Sequence, residues 1–453
     1  MDGHPRDRLE RQLTLTDATL LVVASVIGAG IFFTPGRVAE LLPHPGWIFA
    51  AWAVGGLLSL AGALANAELG AMFPRAGGDY VYLREAFHPV AGFLVGWLTF
   101  FAIYAGTVAA LAAAFAEGVA SRVGLGPGAT LAMAVGVTVF VSLINYTGVR
   151  WGARANNLTS VLKIAALVAF VLVAPIAGGG EGGRLLTATG SGSFSVSAFG
   201  LAMSPVLFTY LGWNASLYVA SEIRDPGRTI PRSLFLGLGV CGLLYLLINA
   251  VYLYAIPMET LRGVSNAGAL AAETLFGPVG GTIVAFFVLV SVLGALNAHV
   301  LVGPRIAYAL ALDGLFFKGV DRVHSHYGTP TIAIAVQGFV AIGVLLLLRS
   351  FPRALDFTTF AILLATMADM LALFHLRRTQ PDRPRPYRAW GYPVLPAVYL
   401  LATGSIAVAM LLGRPLESAA SAGLLLLGLP FYWFFIRGGA PPRPPMPSDL
   451  QRG

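Results

Sequence analysis

The chain has 453 residues, 57% hydrophobic and only 11% charged, with a formal net charge of +8. Soluble domains carry roughly 25% charged residues, so the composition excludes that class and indicates an all-α membrane protein of many spans. A single cysteine, Cys241, excludes a disulfide framework and a cysteine-based metal site.

Twelve apolar stretches approach or exceed the roughly 17–25 residues that cross a bilayer. In chain order they cover residues 16–34, 46–72, 89–120, 130–145, 156–175, 197–221, 233–256, 279–312, 332–348, 355–376, 394–412 and 419–435. The first is interrupted by Ile27-Gly28-Ala29-Gly30-Ile31 and the sixth by Phe208-Thr209-Tyr210-Leu211-Gly212-Trp213. Backbone that leaves helical geometry at membrane depth is tolerated only where it lines a cavity or is buried in protein. Gly-x-Gly in a span also serves close helix packing, as Gly92 and Gly96 suggest in span three. A second interruption at the corresponding place of a second half argues instead for a transporter's binding site.

The polar segment 1–13 has no cleavable signal pattern, so the first span directs insertion. The Pro-rich stretch 438–453 reads as a disordered tail. With both termini cytoplasmic, inner segments hold 21 of the 29 Lys and Arg residues and outer segments seven, Lys163 lying inside a span. This bias fixes the orientation and accounts for the net charge without nucleic acid. The densest run, from Arg377 to Arg388, is broken by prolines and reads as lipid headgroup contact.

The two interruptions supply complementary partial charges. After Gly30 a half-helix resumes, and its N-terminus offers free N–H groups to an anion. Before Leu211 a half-helix ends, and its carbonyls suit a cation. A site with both features suits an α-amino acid.

The stretches Val26 to Phe32, Ala67 to Leu83 and Phe208 to Asn214 resemble the amino acid–polyamine–organocation superfamily. Tyr218 to Pro226, Arg228 and Ile230-Pro231-Arg232 are similar to its L-type amino acid transporter branch, of the bacterial kind; Gly303 to Ala309, Asp313-Gly314 and Tyr327 to Pro330 also fit. The resemblance implies a bacterial leucine transporter-type fold of twelve spans with broken helices 1 and 6. Spans one to five (about 14–176) and six to ten (about 196–378) would form an inverted 5+5 repeat, with spans eleven and twelve (about 392–437) peripheral. By position it implies carboxylate binding at the amides of Gly28, Ala29 and Gly30, and amine binding at the carbonyls of Val26, Ile27, Phe208 and Leu211. It makes Phe208 the outer gate and puts Asn214 near the side-chain pocket. Ala29 stands where many relatives carry Ser or Thr, and Leu211 where Gly is common. Both departures favour small or medium neutral substrates over large aromatic ones.

Lys163 is one of only two lysines beside 27 arginines, and it lies well inside span five. A charge at that depth costs about 2.5–3.5 kcal/mol even on lenient scales, so it is expected to face the bundle rather than snorkel. The resemblance implies that it reaches toward spans one and eight, near the cation position of sodium-coupled relatives. An ammonium fixed there removes the need for sodium; alternatively the lysine itself carries a transported proton. Glu68 and Glu222 are expected to pair with arginines such as Arg75 or Arg228. Glu117, Asp369, Asn297 and His299 stay open between lining the path and satisfying local bonds. His324 and His326 read as solvated.

No metalloprotease, nucleophile-elbow, Walker or paired-carboxylate motif marks a membrane enzyme or a primary pump. Nothing resembles a channel filter or a sensor's signalling domain. The expectation is a sodium-independent exchanger of neutral L-amino acids in the plasma (bacterial inner) membrane. Proton symport is the alternative, as is carriage of cationic amino acids or polyamines, with Glu117 the acid most able to favour that. No cofactor, metal or protein partner is implied, and the only partners expected are the amino acid and membrane lipid.

Overall fold

Lipid offers the backbone no hydrogen bonds, so a chain this apolar must satisfy its own N–H and C=O groups, and helices do so locally. The computed structural model describes residues 9, 11–146, 149–176, 179–185 and 194–438; the expected N-terminal segment and tail lie largely outside these. Helices α1 (Leu15–Val26), α2 (Gly30–Phe33) and α3 (Pro35–Leu41) precede the long α4 (Pro45–Met72) and the short α5 (Asp79–Ala86). Then come α6 (Pro89–Leu98), a π-helical turn at Thr99–Tyr104, α7 (Ala105–Val123), α8 (Pro127–Tyr146) and α9 (Val149–Val173). The second half contains α10 (Val196–Thr209), α11 (Ala215–Tyr218), α12 (Pro226–Ala255), α13 (Met258–Leu261), α14 (Ala267–Val302) and α15 (Pro304–Leu312). Helices α16 (Thr331–Leu348), α17 (Phe351–Thr379), α18 (Val394–Gly413) and α19 (Pro415–Gly438) complete it.

Among the described residues, eleven helical spans are long and apolar enough to cross a membrane. The expected sixth span appears instead as α10, whose 14 residues at about 1.5 Å each fall short of the hydrocarbon thickness. Several spans also start earlier than hydropathy suggests. Helices α8, α12 and α19 begin at Pro127, Pro226 and Pro415, and α17 has Pro352 in its first turn. Proline is preorganised for that position, where its missing N–H has no helical partner. The eighth span starts earlier too, because α14 is two helical pieces joined at a non-helical Gly277 followed by Pro278.

Span three is the axis of the bundle, with 89% of its apolar window buried, against 22% for α8 and for span five. Alanines at 109, 110, 112, 113, 114 and 116 are nearly all inaccessible, letting α14, α16 and α17 approach α7 closely. Phe140, Leu143, Leu158 and Val161 stay exposed on the outer helices, as a lipid-facing surface requires.

At the end of the bundle carrying α5, here the near end, residues 380–393 are strapped onto α4. Fully buried Glu68 accepts from Arg377 at 2.6 Å, from Arg385 at 3.1 Å and from the Ala389 N–H at 2.7 Å. The expected partner, Arg75, lies instead 3.8 Å from Glu85. Three donors converge on one carboxylate, which offsets the cost of burying it. Glu68→Ala leaves them unpaired and should lower stability by about 3 kcal/mol. Thermal unfolding in detergent reads this as a clear fall in Tm; an unchanged Tm would show that the strap contributes little.

Candidate functional site

Helix α1 opens with a capping box, in which Thr14 Oγ1 accepts from the Asp17 N–H while the Asp17 carboxylate accepts from the Thr14 N–H. Asp17 also accepts from Asn157 on α9 at 2.7 Å, which fixes the start of the helix. Helical geometry stops at Val26; Ile27 has φ −78° and ψ 88°, and helix resumes only at Gly30. The Gly28 N–H folds back onto the Val26 carbonyl at 2.9 Å. The amides of Ala29, Gly30 and Ile31 have no acceptor among the described residues. They open a helix start, where partial positive charge collects.

The carbonyls before this point are engaged by side chains from elsewhere. Lys163 Nζ donates to Ile27 O at 2.7 Å and approaches Ala24 O at 3.3 Å. Its stem passes Gly294 of span eight, where an added Cβ would stand 3.0 Å from Lys163 Cε. The lysine is 1% exposed, so its Nζ caps the end of α1 from inside the bundle. Tyr245 of α12 holds its hydroxyl 2.8 Å from Val26 O and 3.0 Å from Thr209 O, sharing one proton between the two chain interruptions.

The second interruption follows Thr209, the end of α10. Leu211 N–H closes on Phe208 O at 3.0 Å, Gly212 takes φ +101°, and helix resumes at Ala215. Only glycine adopts that conformation without strain, and here a Cβ would also stand 2.7 Å from Ser25 Cβ. On the other strand of the contact, a Cβ on Gly30 would lie 2.7 Å from Thr209 Cα. The Thr34 and Thr209 hydroxyls meet at 2.9 Å. The two interruptions are therefore packed directly on each other, and Val26, Ile27, Gly28, Ala29, Gly30, Phe208, Leu211 and Asn214 are all buried.

Toward the far end, the Phe208 ring packs edge-on against Phe351 at 5.8 Å, and Phe351 against Phe33 at 5.9 Å. Phe33 and Phe351 line a cavity of about 300 Å³, together with Arg37, Glu40, Glu117 and Asn266. Glu117 accepts the Phe351 N–H at 3.0 Å, so this acid serves the cavity wall and not the interruptions. Arg37 pairs with Asp356 at 2.6 Å behind it, and Ser204 donates to the same carboxylate at 2.9 Å.

The near end is sealed. Arg305, 1% exposed, forks onto Glu222 with 3.0 and 3.3 Å bonds, in place of the expected Arg228. The Gln12 and Leu13 amides bond to Glu222 O, and Arg224 N–H to Leu13 O, tying the entry of the chain to the end of α11's connector. Asn214 Nδ2 donates to the Tyr218 hydroxyl at 3.0 Å, and Tyr218 donates to Asp79. Asn214 thus points into the near-end seal. Asn297 accepts from Asn145 at 2.7 Å, and His299 Nδ1 lies 2.9 Å from Ala295 O, so both satisfy local bonds. His324 stacks near Tyr327, and among the described residues no cluster suits a metal ion.

Sequence reasoning did not single out Tyr245, Thr209 or Ile31. A tyrosine in an apolar run reads as packing, and nothing local says that its hydroxyl bridges two distant segments. Tyr245→Phe removes that bridge, leaving the Thr209 carbonyl without a donor among the described residues and the Val26 carbonyl with the Gly28 N–H alone. A loss of about 1–3 kcal/mol should appear as a lower Tm in detergent, and wild-type stability would demote the bridge to an incidental contact.

The model of the family described as amino acid permease matches residues 13–435. The serine/threonine exchanger SteT of Bacillus subtilis (strain 168) is 29% identical over 435 residues, covering 95% of this chain and 98% of that one. The human b(0,+)-type amino acid transporter 1 is 27% identical, covering 94% and 88%. The human large neutral amino acids transporter small subunit 2 is 28% identical, covering 94% and 80%. These relatives are transporters rather than enzymes. The chain belongs to the amino acid permease family of the amino acid–polyamine–organocation superfamily, related to the L-type transporters, and is an integral membrane transporter of amino acids.

Proposed function

We propose that this protein exchanges small neutral L-amino acids across the membrane without sodium, by alternating access around the two paired interruptions. The observation that carries this reading is their direct contact. Unpaired amides at Ala29, Gly30 and Ile31 lie beside a second helix end at Thr209, within one buried volume. A carboxylate docks on the amides, and an ammonium takes the free lone pairs of the surrounding carbonyls. Because Lys163 and Tyr245 already occupy one side of the Ile27 and Val26 carbonyls, and Phe208 O receives the Leu211 N–H, the carbonyl of Leu211, with no donor among the described residues, is the freest acceptor for that ammonium. In this reading the spans form twelve membrane crossings in an inverted 5+5 repeat, with helices 1 and 6 broken and both termini cytoplasmic. The near end then faces the cytoplasm, and the cavity at Phe33 and Phe351 opens outward.

Phe208 is the gate in this scheme. Its ring stands between the interruptions and the cavity wall, so withdrawal from Phe351 would connect the two. Asn214 acts in the near-end seal through Tyr218 and reports the state of the site to that seal. Lys163 keeps a positive charge where a coupling cation would otherwise sit, which supports sodium independence. The likeness to a serine/threonine exchanger, the departures at Ala29 and Leu211, and the distance of Glu117 from the interruptions all favour small neutral substrates over cationic ones. Proton symport through Lys163 is the second reading, favoured by its burial with only carbonyl oxygens as partners.

In proteoliposomes loaded with unlabelled amino acid, labelled serine, threonine or alanine should accumulate by counterflow in sodium-free buffer. Absence of counterflow across a panel of the twenty amino acids would reject exchange, and a steep sodium requirement would reject the role given to Lys163. Phe208→Ala should cut the exchange rate per folded molecule at least about tenfold, roughly 1.4 kcal/mol of barrier. Wild-type kinetics would reduce Phe208 to a packing residue.

A further inference from the structure

Between α4, α5, the π-helical turn, α11 and α17 lies a buried polar cluster that the amino acid site does not use. Asp79 on α5 and Asp369 on α17 are both fully buried and within hydrogen-bonding reach of each other. Asp79 receives the Tyr218 hydroxyl and, at 3.5 Å, that of Thr99; Asp369 receives Asn66 Nδ2 at 2.7 Å. The Oδ1 atom of each acid has no donor among the described residues, and neither has Asn66 Oδ1. Tyr82 and Tyr104 hold buried hydroxyls with no partner among the described residues, both electrostatically coupled to Asp79.

The titratable groups facing the pair are Tyr82 on α5, Tyr104 at the end of the π-helical turn, Tyr218 on α11 and Tyr399 on α18. None of these supplies positive charge. Glu68 on α4 and Arg377 on α17 flank the cluster, but Glu68 takes both Arg377 and Arg385. Two neighbouring buried carboxylates, on helices packed against each other, do not both stay ionised in a medium of low dielectric when only neutral donors surround them. A proton held by one acid gives the other a donor where the carboxylate oxygens otherwise lack one.

We propose that Asp79 and Asp369 hold one proton between them, forming a proton-binding site linked to the interruption of span six through Tyr218 and Asn214. Burial pushes the Asp79 carboxyl above the usual carboxylate range, against the hydrogen bonds from Tyr218 and Asp369 that favour its charge. Movement of α11 that takes Tyr218 off Asp79 changes the donors of the pair, and with them its proton affinity. Opening of the near end is thereby coupled to the proton. This goes beyond amino acid exchange and does not depend on which amino acid is carried.

The test is infrared spectroscopy of the full chain in lipid at neutral pH, comparing wild type with Asp369→Asn and Asp79→Asn. A protonated-carboxyl stretch present in wild type and lost in either variant is expected; identical spectra overturn the shared proton. Should the variants not accumulate, wild type alone decides. An acid that binds its proton more tightly in the folded state stabilises the fold at low pH, and this is lost as pH rises. Wild-type Tm should therefore fall by about 2 °C or more between about pH 5 and about pH 8, and a flat or rising profile overturns the proposal. Where Asp369→Asn folds, its counterflow should lose part of the wild-type pH dependence; an identical pH profile overturns the link to span six.

Discussion

Backbone cannot be left unpaired in hydrocarbon, and the architecture around the two interruptions follows from that constraint. Where α1 stops, its terminal carbonyls receive the Lys163 ammonium and the Tyr245 hydroxyl; where α10 stops, Thr209 shares that same hydroxyl. Gly30 and Gly212 let the segments touch, since a side chain at either would collide with the other strand of the contact. Donors and acceptors that would each be costly alone are gathered into one buried volume. What stays unmatched, the amides of Ala29, Gly30 and Ile31, is what an amino acid carboxylate would match.

The two ends of the bundle close differently. At the near end the closure is polar and specific: a forked Arg305–Glu222 pair, a backbone tie between residues 12–13 and 222–224, and the Asn214–Tyr218–Asp79 chain. At the far end three phenyl rings meet edge to face, beside a cavity with mixed charge. Aromatic contacts are broken and remade at little electrostatic cost, whereas a buried ion pair needs a new partner when separated. This asymmetry suits a carrier in which the aromatic closure yields more readily than the polar one.

Much of this was legible in the sequence because it rests on local chemistry. The interruptions show as Gly-x-Gly and Leu-Gly-Trp within apolar runs, and Lys163 stands out as a charge at membrane depth. Partnerships across long separations were not legible. Glu68 meets Arg377 and Arg385, 309 and 317 positions away, rather than nearby Arg75. Asp79, placed after a double glycine, looks like an ordinary loop acid, and only the fold brings it to Asp369. Hydropathy trimmed several helices at their polar ends, although prolines at 127, 226 and 415 marked the starts.

The premise under test is that two touching helix ends, one rich in amides and one in carbonyls, cradle both poles of a single zwitterion. An electron cryomicroscopy map of the protein saturated with its fastest-exchanging amino acid tests it most directly. The account predicts ligand density with its carboxylate within hydrogen-bond reach of the Ala29, Gly30 and Ile31 amides and its ammonium facing the Phe208 and Leu211 carbonyls. Density confined to the cavity beside Phe33 and Glu117, with the interruptions unchanged, would contradict it.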